Sequence, residues 1–347
     1  MTERDDDREF RDLLAAVERL PKSVEPPRDL WPGIEARIAG KGEGGRGKGR
    51  ILAFPRRWAL LPLAAAAALV LLWLGRRGTI RPAGAWEVTR LAGRPLVGET
   101  PLDASGALRV GQWLETDDSS RAVILVADIG HVDVKPGTRI RLVRARATDH
   151  RLALARGAIF AQVDAPPRLF FVEMPAGVAV DLGCAYALEV DSSGTGLIHV
   201  TAGYVELQWS GRRSIVPLGF VARTRPGVGP GVPFTADAPE ALRLALEAYD
   251  FGNGGVPAVR RALAAARPED AVSLWHLLSR VEPTLRVAVY ERLGALVPPP
   301  AGVTRDGLLR LEQRQLDAYW NVIRRIAWRR IILQGVRDID PRTGLGR

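Results

Sequence analysis

Cysteine is almost absent: Cys184 is the only one in 347 residues. That excludes an intrachain disulfide framework and any multi-cysteine zinc or iron–sulfur site. Histidine is scarce too, with four, at 131, 150, 199 and 276, and none at the spacing of a metal-ligand pair. No cofactor or metal is expected. The phosphate-cradling G-x-x-x-x-G-K-[ST], the hydrolase G-x-S-x-G and the metalloprotease H-E-x-x-H are all missing. The scattered reactive residues do not compensate. Cys184 follows Gly183 in an expected strand with no histidine beside it in sequence, so it reads as a small buried hydrophobe rather than a nucleophile. His276, in WHLLSR, falls on an apolar helical face, and Asp117-Asp118 with Ser119-Ser120 read as a turn. The expectation is a protein that is not an enzyme.

Hydrophobic residues, at 47%, suffice for real cores, and 49 Lys+Arg against 39 Asp+Glu leave a formal charge of +10. The most distinctive stretch is Trp58 to Gly75, WALLPLAAAAALVLLWLG, 18 residues without a charge, flanked by Arg56-Arg57 and Arg76-Arg77. It predicts a transmembrane helix over 58–75, with Trp58 and Trp73 near its two interfaces. Within about 15 residues of the span, Arg46, Lys48, Arg50, Arg56 and Arg57 on the N-terminal side outnumber Arg76, Arg77, Arg81 and Arg90 on the other. That places the N-terminus in the cytoplasm and the chain in the inner (cytoplasmic) membrane, with the lipid bilayer as one partner.

Ahead of the span lie a helical segment, 1–39, and a Gly-rich basic linker, 40–57. Phe10, Leu13, Leu14, Val17 and Leu20 form one apolar stripe on a helix that Pro21 ends. A second short helix follows Pro26-Pro27, with Leu30, Trp31 and Ile34 on one side. Up to Ile38 the net charge is −3, from ten acidic and seven basic side chains, whereas Ala39 to Arg57 carry +5. Two such helices are too short to bury a core of their own, so the faces carrying Phe10, Leu13, Leu14, Val17, Leu30, Trp31 and Ile34 are expected to bind a partner.

Beyond the span the pattern changes to short apolar runs about every ten residues, among them VILVAD, RLALA, AIFAQV, VAVDL, YALEV and YVELQ. This density predicts an all-β domain over 85–235, solenoid- or sandwich-like. Gly130, Gly137, Gly157, Gly177, Gly183, Gly203 and Gly219 stand at or beside the expected turns.

Within this region Phe171-Val172, Pro175, Gly177 and Leu182-Gly183, then Val200, Gly203 and Val205, follow the pattern F-V-x-T-P-x-G, L-G-T-x-F-x-V, V-x-V-x-x-G-x-V. From Gly111 to Arg223 the chain resembles the FecR family of membrane-bound regulators, with Met174, Cys184 and Tyr186 departing from its usual threonine, threonine and phenylalanine. The resemblance implies a short cytoplasmic segment, one span and an extracytoplasmic β domain. It also implies a regulator that binds an extracytoplasmic-function sigma factor through its N-terminal helices. Residues 1–57 contain neither cysteine nor histidine, so an anti-sigma segment here would be zinc-free.

After Asp237 the period becomes helical. Four short helices, broken by Gly252 to Gly255, Pro268 and Pro283, predict a domain of two helical hairpins over 237–300. A last helix over Leu308 to Ile332 and a basic tail complete 301–347, and Arg324 to Arg347 carry +5 of the formal charge. No nucleic acid is expected to meet that tail outside the cytoplasm. The alternative function is a membrane-anchored envelope protein that binds cell-wall polysaccharide or another envelope protein without signalling.

Overall fold

The structure is a computed structural model and describes residues 84–337, with side chains to Ile326. The N-terminal stripe, with Phe10, Leu13, Leu14, Val17, Leu30, Trp31 and Ile34, the linker, the 58–75 span and the end of the basic tail lie outside the described residues. No helix among the described residues is long and apolar enough to cross a membrane.

The described chain begins as a large mixed β domain and ends in helices. Its strands are β1 (Ala85–Ala92), β2 (Leu96–Val97), β3 (Thr100–Pro101), β4 (Ser105–Arg109), β5 (Trp113–Glu115), β6 (Arg121–Val126), β7 (Gly130–Val134), β8 (Arg139–Arg146) and β9 (Asp149–Val163). There follow β10 (Phe170–Met174), β11 (Gly177–Asp181), β12 (Cys184–Val190), β13 (Gly196–Ala202), β14 (Tyr204–Trp209), β15 (Arg212–Pro217), β16 (Phe220–Arg225), β17 (Gly229–Pro230) and β18 (Phe234–Thr235).

The pairings separate into two sheets that share β9. One runs β4-β1-β6-β7-β9-β12-β13-β16, with β17 and β18 on β16. The other runs β3-β2-β5-β8-β9-β10-β11-β14-β15. All pairings are antiparallel except β9 with β10, where Phe170 stands opposite His150. This parallel pair forces a bend. From His150 to Val163 a straight strand would run about 43 Å at roughly 3.3 Å per residue, whereas the six residues 164–169 reach back about 25 Å at most. β9 therefore folds from one sheet into the other. It turns at Gly157, where φ is +91° and a Cβ would lie 2.4 Å from the Thr138 Cα.

Alternation along the strands does the rest. In β6 Ala122, Ile124 and Val126 are buried while Val123 and Leu125 are only partly covered, and β12 alternates in the same way. Inward residues from both sheets, including Ile124, Ile140, Leu152, Phe170, Tyr186 and Phe220, join one core. Each fully buried side chain of this size contributes about 1.5–3 kcal/mol.

The helices are α1 (Glu240–Phe251), α2 (Gly255–Ala265), α3 (Ala271–Arg280), α4 (Pro283–Leu296), α5 (Arg305–Leu309) and α6 (Gln313–Arg337), with a 3₁₀ turn at Pro268–Asp270. Their buried residues, such as Leu246, Val259, Leu277, Leu293 and Tyr319, continue the core of the sheets. The single final helix expected from Leu308 is instead two, because Leu311 takes φ +57° and breaks the rise between α5 and α6. No glycine or proline marks that break, so helical periodicity ran through it.

Candidate functional site

The densest polar assembly lies where β14 and β15, the last strands of the second sheet, meet α1 and α3. The two strands are joined by Ser210-Gly211 with φ +44° and +81°, the two left-handed residues of a tight hairpin. This register sets Trp209 opposite Arg212 and Gln208 opposite Arg213.

Glu206 breaks the alternation of β14, since Val205, Glu206 and Leu207 are all buried. Its carboxylate is 2% exposed and accepts from Arg168 and Arg213, whose side chains are 50% and 60% exposed. One buried anion thus fixes two guanidiniums at the surface. A second buried carboxylate, Asp250 of α1, ties the helices to the sheets. It accepts from Arg212, from Arg280 at 3.1 Å and from the Val232 amide at 2.6 Å. Arg280, pushed down to about 10 by burial, also donates to the Arg213 carbonyl at 3.0 Å and to Ser214 Oγ at 2.6 Å. Further along α3, His276 Nε2 pairs with the Ile215 carbonyl at 3.0 Å, and burial lowers its pKa to about 3, so the ring is neutral and Nε2 donates. The free edge of β15 is thereby capped by side chains of α3 rather than by another strand.

Two hollows flank Arg213. One, of about 560 Å³, is lined by Arg168, Gln208, Trp209 and Arg212. The other, of about 370 Å³, lies between β15 and α3 with α6 and is lined by Ile215, Trp275, His276, Gln313, Asp317 and Trp320. Trp275 and Trp320 pack at 4.8 Å between ring centroids, and Gln313 donates to Asp317 at 2.7 Å on the rim. A separate cluster sits in the core: Cys184 Sγ donates to Asp181 Oδ2 at 2.7 Å, the Gly183 amide donates to Oδ1 at 2.7 Å, and Tyr186 is fully buried close by.

Cys184 is buried as expected, but it is a hydrogen-bond donor rather than a plain hydrophobe. Burial and the Asp181 charge raise its thiol far above the ordinary range, which makes it a poor nucleophile. Asp117 accepts from the amide and hydroxyl of Ser119, the turn expected there. Among the described residues no group of three or more His, Cys, Asp or Glu could hold a metal ion. Sequence reasoning missed Glu206, Asp250 and their arginines. The readable signal was a glutamate inside the apolar run YVELQ, followed at once by Trp209 and the turn SGRR.

Residues 112–206, from the start of β5 to the middle of β14, match the family model described as FecR protein, and this stretch is a FecR-family domain. The matching stretch lies inside the Gly111–Arg223 range that resembled the family. Among solved structures, two crystal structures of a candidate anti-sigma factor from Parabacteroides distasonis ATCC 8503 are similar, each at 15% identity and a TM-score of 0.32 over 38% of this chain. The chain spans 63% and 62% of those two chains, less than two thirds of their length. No curated protein matches the chain.

Proposed function

We propose that this chain is a single-pass membrane signalling regulator. Its N-terminal helices hold an extracytoplasmic-function sigma factor in the cytoplasm, and its FecR-family domain and helical appendage face the other side of the inner membrane. The observation that carries this reading is the FecR-family domain at 112–206, set behind an uncharged 18-residue run that two arginine pairs bracket. The sigma factor would dock on Phe10, Leu13, Leu14 and Val17 of the first helix and on Leu30, Trp31 and Ile34 of the second. An amphipathic helix laid in a partner's groove buries such anchors at about 1.5–3 kcal/mol each. The acidic helices and the basic linker support the division of labour, since the linker's +5 suits the anionic inner face of the bilayer and the −3 of the helices suits a basic partner.

The test is co-purification from the native host of the full chain in detergent. A sigma factor should accompany the wild-type chain and be lost when Leu13 and Leu14 are both replaced by Asp, which would place unpaired charge in the contact. Recovery of no sigma factor, or an unchanged complex with the double variant, refutes the reading.

A further inference from the structure

We propose that the two hollows flanking Arg213 form one binding track for a carboxylate-bearing sugar chain. The inference uses only described residues and does not rest on the sigma-factor reading.

A pyranose offers an indole its C–H face, its hydroxyls need planar acceptors and donors, and a uronate or lactyl carboxylate needs a cation. The track holds all three. Gln208 leaves β14 on the same face as Glu206, opposite Arg213, and offers an amide to hydroxyls in the first hollow. Next to it stand the two guanidiniums pinned by Glu206. Their bonds to the buried carboxylate use one donor of Arg168 and two of Arg213, of the five on each guanidinium. The trio carries a net +1, which matches one carboxylate, and the arginines are already oriented, so little is lost in ordering them. Across Arg213 the second hollow supplies the Trp275–Trp320 pair, with Asp317 and Gln313 at the rim as partners for hydroxyls.

Charge density decides against a phosphate polymer. Asp317 lies on the same track as the arginines, and it would oppose a chain with a negative charge on every unit of backbone. A sugar chain with carboxylates set among neutral hydroxyls meets no such repulsion. Both hollows are open to solvent along their length, as a chain lying across them requires.

The test titrates the full-length chain, in a sugar-free detergent, with a hyaluronan hexasaccharide, whose carboxylates stand on alternate sugars, with neutral chitohexaose and with a single-stranded oligothymidylate, by calorimetry and tryptophan fluorescence. The hyaluronan hexasaccharide should bind saturably, about tenfold or more tighter than the neutral sugar, and the difference should shrink with added salt. Arg213→Gln and Trp320→Ala should each weaken binding by about tenfold in protein shown by circular dichroism to be folded at the assay temperature, since Arg213→Gln also takes one of two partners from the buried Glu206. Arg213→Gln should also remove most of the salt dependence. No saturable binding, equal binding of chitohexaose, or oligothymidylate binding as tight as the hyaluronan hexasaccharide would each overturn the assignment, and none of these needs a variant. Loss of the sigma-factor complex would leave every one of these readings unchanged.

Discussion

Replacing Asp181 by Asn should expose an acid sensitivity that the wild-type chain conceals. Asp181 is 1% exposed, and burial, partly offset by the bonds from Cys184 and Gly183, raises its pKa from 3.8 to about 6. A carboxyl whose folded pKa lies above its unfolded value contributes stability that is complete below pH 3.8 and is lost as the pH rises through about 6. His276 acts in the opposite sense. It is 3% exposed, and burial, with the Arg280 charge adding to it, lowers its pKa from 6.5 to about 3. Its contribution is complete above pH 6.5 and is lost as the pH falls toward about 3. The limiting slope is about 1.4 kcal/mol per pH unit, and because the interval from pH 6 to pH 4 begins or ends near a pKa, each group contributes about 2 kcal/mol over it, with opposite sign. The two nearly cancel in the wild type. Asp181→Asn keeps an oxygen for the Gly183 amide but removes the charge. Relative to wild type it should lose about 2 kcal/mol of unfolding free energy between pH 6 and pH 4, measured by urea denaturation followed by tryptophan fluorescence. His276→Gln, whose amide can still donate toward the Ile215 carbonyl, should gain a similar amount over the same interval. Parallel pH profiles for all three proteins would refute the reasoning, because they would mean that neither group titrates differently in the fold and in the unfolded chain.

Three other perturbations follow from the same geometry. Asp250→Ala strips the counter-charge from Arg280 and Arg212, whose side chains are 10% and 28% exposed. It should cost about 3–5 kcal/mol and speed proteolysis between α1 and α2, and a loss under about 1 kcal/mol would show the latch to be dispensable. Gly157→Ala puts a side chain at φ +91° against Thr138. A loss of about 3 kcal/mol is expected in thermal or chemical unfolding, and a neutral result would mean that β9 can turn elsewhere. Cys184 should resist iodoacetamide at pH 8 in the native chain and react fully in urea, as mass spectrometry would show, because the buried thiol is held protonated beside Asp181. Rapid native labelling would contradict that environment.

Much of the β domain could be read from the chain, because period-two runs and turn glycines act locally. All seven glycines singled out beside turns take positive φ. The runs RLALA and AIFAQV, read as separate, are the two limbs of β9, and Gly157 between them is where the strand changes sheet. The choice between sandwich and solenoid depended on the parallel return of β10 to the start of β9, a pairing of Phe170 with His150 that leaves no local mark. The junction was hidden for a related reason. Asp250 meets Arg212 across 38 positions and Arg280 across 30, and Glu206 meets Arg168 across 38. In composition such residues look like ordinary surface charge, and only the fold shows that their carboxylates are buried. The bond between Cys184 and Asp181 was only three positions apart, but the turn at Gly183 that aims them at each other appears only with its backbone geometry.

The central claim is that this chain regulates a sigma factor through its N-terminal helices, and transcript profiling of the native host tests it most directly. Deleting the gene should move one coherent set of transcripts together, by about tenfold if the regulator biases its partner by roughly 1.4 kcal/mol. The full-length chain should restore that set, while the chain with Leu13→Asp and Leu14→Asp, made to the same level, should not. An unchanged transcript profile on deletion, or full restoration by the double variant, would contradict the account.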